Sequence, residues 1–194
     1  MHETTAAAAE VKPRVSAFTY VRALPSGWQI AIGCASVVLA AACFVRFGLS
    51  GRAVVGAIFV VSLVVLTAID LDRRLLPNVI VLPTLAVVLA LQIAFYPDRA
   101  LEWVLAALGA ALFFFVPLLV YPAGMGMGDV KLAALLGAAL GKTVAAAIAA
   151  GLLAVFFVAL VVLAREGMGA RKKAIAFGPF LAFGGVLMLL LGGR

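Results

Sequence analysis

Seven apolar runs of helical length divide the chain, and basic residues, prolines or glycines separate each run from the next. A transmembrane helix needs about 20 predominantly apolar residues. Apolar residues make up 66% of the chain and charged residues 12%, against about half and a quarter in soluble domains. The pattern predicts an all-α polytopic transmembrane helical bundle with about seven spans and excludes a soluble globule. The runs lie at about 28–45, 53–70, 78–96, 100–121, 129–141, 143–164 and 174–192.

The two ends of the chain differ in character. Residues 1–26 are polar to mixed, so we expect a cytoplasmic N-terminal tail that is partly disordered or lies on the membrane surface. The first run is longer than the core of a signal peptide and six runs follow it, so we expect a retained helix. The transmembrane domain is therefore expected to cover 27–194. The run at 129–141 is short for a full span, which predicts either a half-helix or a helix buried within the bundle.

The basic residues, which give a net charge of +7, are spread over short loops. This distribution is typical of the positive-inside rule and not of a nucleic-acid-binding protein, so no nucleic-acid partner is expected. With seven spans and the N-terminus inside, ten basic residues lie on the cytoplasmic side and five on the other. The bias predicts a cytoplasmic N-terminus and places the loops containing Asp70 and Asp129 together on the cytoplasmic face.

Most of the common catalytic motifs are absent from the sequence. The single histidine is His2, in the tail, and no serine lies in a GxSxG context, which excludes a His-based triad and a three-His metal site. Cys34 and Cys43 lie inside an apolar run without a CxxC pair. No metal or other cofactor is therefore predicted, and the acids remain as candidates.

Asp70 ends the second apolar run, and Asp129 follows a glycine-rich turn and opens the fifth. A charged side chain at membrane depth costs about 2.5–3.5 kcal/mol even on the lenient insertion scale, so such acids have a partner or a task. For Asp129, a helix N-cap after a glycine turn is an equally good interpretation from the residues alone. The other acids outside this region are expected to be solvated: Glu3, Glu10, Asp98, Glu102 and Glu166.

Residues beside the two aspartates carry further predictions. Asp72 lies about 200° around a helix from Asp70, so we expect it at the water interface, paired with a base. Gly126 and Gly128 permit close helix approach and unusual backbone angles, which would bring Asp129 near a second carboxylate. Two carboxylates in one site share a proton. One can then take a proton from water while the other donates to a substrate carbonyl.

Three segments carry a resemblance to a known family. They are 67–83 (TAIDLDRRLLPNVIVLP), 124–137 (GMGMGDVKLAALLG) and 176–180 (AFGPF). In this order the segments resemble the type IV prepilin peptidases, which are GxGD-type aspartic peptidases of the bacterial inner membrane. The resemblance covers about 50–194, and it departs from the family at Asn78, often Asp, and at Ala176, often Pro.

The resemblance implies that Asp70 and Asp129 are the catalytic pair and that Gly126 and Gly128 shape the site. Lys131 and Asp72 are candidates for substrate contact or electrostatic support. The implied substrate is a prepilin-like protein, of type IV or Flp-type pili, whose short basic leader is cut at the cytoplasmic face. Larger members also methylate the new N-terminus through a domain with paired CxxC motifs. No CxxC occurs here, so methyltransferase activity is not expected.

Two other functions remain open at this point. A membrane transporter could use the acids as a proton relay, although no inverted repeat or further intramembrane acid accompanies them. A non-catalytic pilus or secretion assembly protein could keep the fold. Such a protein would be expected to have lost one of the two aspartates, and both are present. The lipid bilayer is an expected partner in every case, and the sequence leaves the oligomeric state open.

Overall fold

The computed structural model describes residues 17–120, 126–166 and 176–192, and every regular element in these ranges is helical. The all-α polytopic bundle predicted from the sequence is confirmed. The α-helices are α1 (Ala17–Arg22), α2 (Ser26–Phe47), α3 (Gly51–Arg73), α4 (Asn78–Phe95), α5 (Ala100–Val120), α6 (Met127–Leu140), α7 (Val144–Glu166) and α8 (Gly178–Leu191), with 3-10 turns at Pro97–Arg99 and Gly141–Thr143.

The number of full-length spans is smaller than the number of apolar runs. In the described ranges, five stretches are long and apolar enough to cross a membrane, and one of them, Met127–Arg165, combines α6 and α7. Gly141, at φ 56°, ends α6. The helices α6 and α8 have 14 residues each, or about 21 Å, against a hydrocarbon core of about 30 Å. Neither helix spans that core alone.

The helix α6 forms the centre of the bundle. All of its residues from Val130 to Leu140 are buried except Lys131, and it packs against α4, α5 and α8. A helix that is apolar on every side belongs inside a protein. The sequence left two interpretations of this short run, and the structure shows the helix buried within the bundle.

The helix ends gather at two opposite ends of the bundle. Hydrogen bonds link the C-terminal end of α3 to the start of α8, and the start of α6 to the start of α4. The opposite ends of these helices surround a cavity. Asp70 and Asp129, which the sequence predicted on one side, therefore lie at the same end of the bundle. At this end α3 finishes and α4, α6 and α8 begin.

The described part of the N-terminal tail packs near that same end. Leu24 is buried, and the ring of Tyr20 lies 5.9 Å below the guanidinium of Arg73. The tail from residue 17 onward is thus folded against α3, and 1–16 lie outside the described residues.

Candidate active site

Asp70 lies in the last turn of α3 and is only 6% exposed. The chain leaves the helix at Arg74, which adopts the left-handed conformation at φ 51° and donates its backbone N–H to the Asp70 carbonyl at 2.8 Å. Among residues other than glycine this conformation costs about 1–2 kcal/mol. The turn keeps Asp70 within the helix and sends the following chain towards α4.

The carboxyl of Asp70 is held by the first turn of α8. The backbone N–H of Gly178 donates to Asp70 Oδ2 at 3.0 Å, in a buried hydrogen bond between residues 108 positions apart. N–H groups in the first turn of a helix have no partner in that helix, and a carboxylate is favoured beside a helix N-terminus. The following Pro179 has no N–H to satisfy and fits this first turn.

Glycine at position 178 leaves room for the Asp70 carboxyl. A Cβ added there would lie 2.7 Å from Asp70 Oδ2, which is far inside van der Waals contact. Gly178 and Pro179 belong to the AFGPF segment, one of the three that carry the family resemblance. The structure adds that Gly178 positions a carboxyl of the site, and the signal that could have shown this was the AFGPF segment itself.

Asp129 occupies the third position of α6, and Gly126 is the N-cap. Asp129 Oδ2 accepts from the Gly126 N–H at 3.2 Å, and the Asp129 N–H donates to the Gly126 carbonyl at 3.1 Å. Capping of this kind satisfies orphan backbone groups. The alternative of Asp129 as the N-cap residue is wrong by three positions, but its carboxyl does take part in capping.

The structure brings the two aspartates together at one end of the bundle. Asp70 lies in the last turn of α3, against the first turn of α8. Asp129 opens α6, where Gly128 lies against Leu76 in the loop that follows α3. Asp70 is buried and Asp129 is half-buried. Each carboxyl is oriented by one backbone N–H, so the pair has fixed geometry on two separate helices.

The two glycines of the GxGD segment act differently from one another. A Cβ at Gly128 would lie 2.8 Å from the Cβ of Leu76, so the predicted close approach is present there. Gly126 has ordinary extended angles of φ −93° and ψ 152°, and the prediction of an unusual backbone conformation is wrong at this position. Gly124 lies outside the described residues.

Lys131 and Asp72 have partners other than the aspartates. Lys131 Nζ donates to Asn78 Oδ1 at 2.8 Å and so joins α6 to α4. Asp72 pairs with Arg73 at 3.3 Å, and both side chains are more than a third exposed, as predicted for the water interface. In the described part of the chain, no three His, Cys, Asp or Glu side chains are grouped so as to hold a metal ion.

Comparison with known proteins identifies the family. A family model described as "Type IV leader peptidase family" matches residues 57–163, which contain both aspartates. Curated relatives named prepilin leader peptidase/N-methyltransferase include the proteins of Bacillus subtilis (strain 168), 33% identical over 159 residues, and Pseudomonas putida, 34% identical over 173 residues. A third, from Aeromonas salmonicida, is 35% identical over 140 residues. No solved structure matches the chain.

The alignments cover 79%, 84% and 67% of this chain, but 62%, 58% and 46% of these three relatives. The chain thus spans about half of the length of the curated relatives that it matches. The family model itself covers more than half of the chain. The protein therefore belongs to the type IV leader peptidase family.

Proposed function

We propose that this protein is a membrane aspartic endopeptidase that removes the short basic leader from prepilin-like precursors, of type IV or Flp-type. The observation that carries the proposal is the pair of carboxyls, Asp70 on α3 and Asp129 on α6, at one end of an apolar bundle. Backbone N–H groups of Gly178 and Gly126 orient them. The relatives are named prepilin leader peptidase/N-methyltransferase, and this name supports the substrate class.

The chemistry requires one water and no cofactor. The ionised carboxyl takes a proton from the water as the water oxygen attacks the scissile carbonyl carbon, and the protonated carboxyl donates to the carbonyl oxygen. A tetrahedral diol forms. Its collapse breaks the C–N bond when the leaving nitrogen receives a proton from the first carboxyl, and the second carboxyl recovers its own. The two carboxyls thus act as one unit.

The orientation of the two carboxyls is part of the proposal. A hydrogen bond to a single oxygen of each group leaves the other oxygen to face water or substrate. Asp70 is only 6% exposed, and the proposal requires that water reach it by a side that Asp129 shares. Positioning of this kind converts a bimolecular step into an intramolecular one.

We place the site at the cytoplasmic face of the bacterial inner membrane, with the N-terminus in the cytoplasm. The excess of basic residues on that side supports this orientation. The domain that carries the activity is 27–194. A substrate whose apolar helix lies in the bilayer would present its leader junction at the membrane surface, where α3 ends and α6 begins.

A cleavage assay tests the proposal. The protein in liposomes is incubated with a prepilin-type substrate, and the new N-terminus is sequenced. Wild type is expected to cut once, after the basic leader, and Asp129→Asn is expected to leave the substrate intact. Asp72→Asn is the matched control, because the Asp72 carboxyl pairs with Arg73 at the surface, and it is expected to cut at the wild-type rate.

The same liposomes separate the proposal from its rivals. Proton flux without proteolysis in the folded wild type would contradict the peptidase and favour an acid-relay transporter. Neither flux nor cleavage, with several leaders tried, would favour a non-catalytic assembly protein. Equal cleavage by wild type and Asp129→Asn would remove Asp129 from the mechanism.

A further inference from the structure

A cavity of about 280 Å³ lies at the end of the bundle away from the two aspartates. A single water occupies about 30 Å³ of the liquid, so the space suits a larger guest. The last turns of α4, α6 and α8 and the first turns of α3 and α5 line it. None of its lining residues belongs to the candidate active site.

The cavity is positively charged. Its lining includes Arg52, Arg99 and Lys142. Glu102 pairs with two of them, at 2.7 Å to Arg99 and 3.6 Å to Lys142. The guanidinium of Arg52 lies over the ring of Tyr96 at 5.5 Å and has no carboxylate partner among the described residues. Three cations against one carboxylate leave two positive charges at the cavity, which favours an anion.

Two buried polar groups in the lining have no hydrogen-bond partner within the described ranges. Gln92 is 4% exposed; its Nε2 donates to the Ala139 carbonyl at 3.0 Å, which fixes the amide, and its Oε1 has no donor. Trp103 is 6% exposed, and its Nε1–H has no acceptor. Buried polar groups in folded proteins are nearly always paired. Both residues line the cavity, so one hydrogen-bond donor and one acceptor beside it lack a partner.

We propose that this cavity binds a phosphate ester that also carries a hydroxyl group. The anionic oxygens would meet the basic side chains and accept from the Trp103 N–H, and the hydroxyl would donate to Gln92 Oε1. Charge-assisted hydrogen bonds of arginine to phosphate are strong and geometrically specific. The headgroup of an anionic glycerophospholipid has this chemistry, and so does a soluble glycerol phosphate.

Thermal unfolding of the detergent-purified full chain tests the proposal, because a ligand that binds the native state raises the unfolding midpoint. Short-chain phosphatidylglycerol, short-chain phosphatidylcholine and glycerol 3-phosphate are titrated separately. Phosphatidylglycerol is expected to raise the midpoint and phosphatidylcholine to leave it unchanged, since the headgroup of the latter is zwitterionic and carries a quaternary ammonium in place of the hydroxyl. A matching shift with glycerol 3-phosphate supports the pocket and assigns it to a soluble ester; a shift with the lipid alone assigns it to the membrane.

Variants connect the shift to the cavity. The double variant Arg52→Gln/Lys142→Gln is expected to raise the half-saturating phosphatidylglycerol concentration about tenfold or more, because two charge-assisted contacts are lost. Arg165→Gln removes an exposed charge at the far end of α7 and is expected to bind like wild type. Trp103→Phe keeps an aromatic ring but removes the N–H together with part of the buried indole, so its ligand-free midpoint is expected to fall. The ligand-induced shift, measured from the variant's own ligand-free midpoint, should shrink, whereas a packing role alone would lower the midpoint and leave the shift unchanged.

Three results would overturn the proposal. They are an equal shift with phosphatidylcholine, unchanged phosphatidylglycerol affinity in the Arg52→Gln/Lys142→Gln variant, or no shift with any of the three compounds in a folded wild type.

Discussion

The carboxyl of Asp70 is held by a residue 108 positions further along the chain, whereas the carboxyl of Asp129 is held by a residue three positions before it. The first contact exists only when α8 docks against α3. The second forms whenever the first turn of α6 forms. One half of the candidate active site therefore depends on tertiary packing, and the other half depends on local helix capping.

The difference extends to the space around each carboxyl. A Cβ at Gly178 would lie 2.7 Å from Asp70 Oδ2, while one at Gly126 would lie no closer than 3.7 Å to Asp129 Oδ2. Asp70 is enclosed and Asp129 is half open to its surroundings. We expect substitutions around Asp70 to disturb the site more than equivalent substitutions around Asp129.

Among substitutions that leave both carboxyls in place, the largest effect is expected from Gly178→Ala. The added methyl group would push the Asp70 carboxyl aside, and a misplacement of about 1 Å can cost about a hundredfold in rate. We expect kcat for leader cleavage to fall about a hundredfold with little change in KM. Gly33→Ala, whose Cβ would meet nothing within 4 Å, is the matched control, and equal kcat in both variants would remove Gly178 from a positioning role.

A smaller effect is expected from Gly128→Ala. Its Cβ would lie 2.8 Å from Leu76, and overpacking of this kind costs about 1–3 kcal/mol. The start of α6 would shift, so thermal stability in detergent should fall and cleavage should slow about tenfold. A variant as stable and as active as wild type would show that the close approach is not needed.

The local contact at Asp129 can be tested by a pair of substitutions at one position. Gly126→Pro removes the backbone N–H, and the backbone angles of Gly126 are close to those that proline adopts. We expect the cleavage rate to fall about tenfold or more, because a hydrogen bond to a charged group is worth about 1.5–3 kcal/mol. Gly126→Ala keeps the N–H and should retain most of the activity. Equal cleavage rates for the two variants would contradict the role given to this N–H.

The smallest effect is expected at the link between Lys131 and Asn78. Their hydrogen bond is exposed, and exposed polar pairs contribute about 1 kcal/mol or less. Lys131→Gln should change the cleavage rate by less than about threefold, and Asn78→Asp should keep or slightly raise thermal stability by forming an ion pair. A large loss of activity in Lys131→Gln with unchanged stability would instead indicate direct contact with substrate.

The sequence predicted what depends on neighbouring residues. The apolar runs gave the helices, and α6 begins at Met127 and ends at Leu140, within two residues of the predicted 129–141. The glycine turn before Asp129 indicated helix capping. In the structure Gly126 is the N-cap residue, and the Asp129 carboxyl accepts from its N–H. Local patterns succeed here because helix formation and capping are decided within a few residues.

Contacts across the bundle could not be predicted from the sequence in the same way. The AFGPF segment marks Gly178 through the family resemblance, but no neighbouring residue indicates that its N–H meets Asp70, 108 positions earlier. Glu102 was expected to be solvated, and its side chain is 16% exposed because Lys142, forty residues later, packs beside it in addition to its neighbour Arg99. The Gly178 partner of Asp70 and the Lys142 partner of Glu102 are set by how the helices dock, and this docking cannot be predicted from the residues near each group in the chain.

The most direct test of the central claim is the rate of leader cleavage by Asp70→Asn, by Asp129→Asn and by the double variant, with the exposed Asp98→Asn as control. If the two carboxyls act as one unit, each single variant should lose at least about a thousandfold in kcat, and the double variant should lose no more. Asp98→Asn should match wild type. Retention of more than about a tenth of the wild-type rate by a folded Asp70→Asn or Asp129→Asn protein would contradict the account.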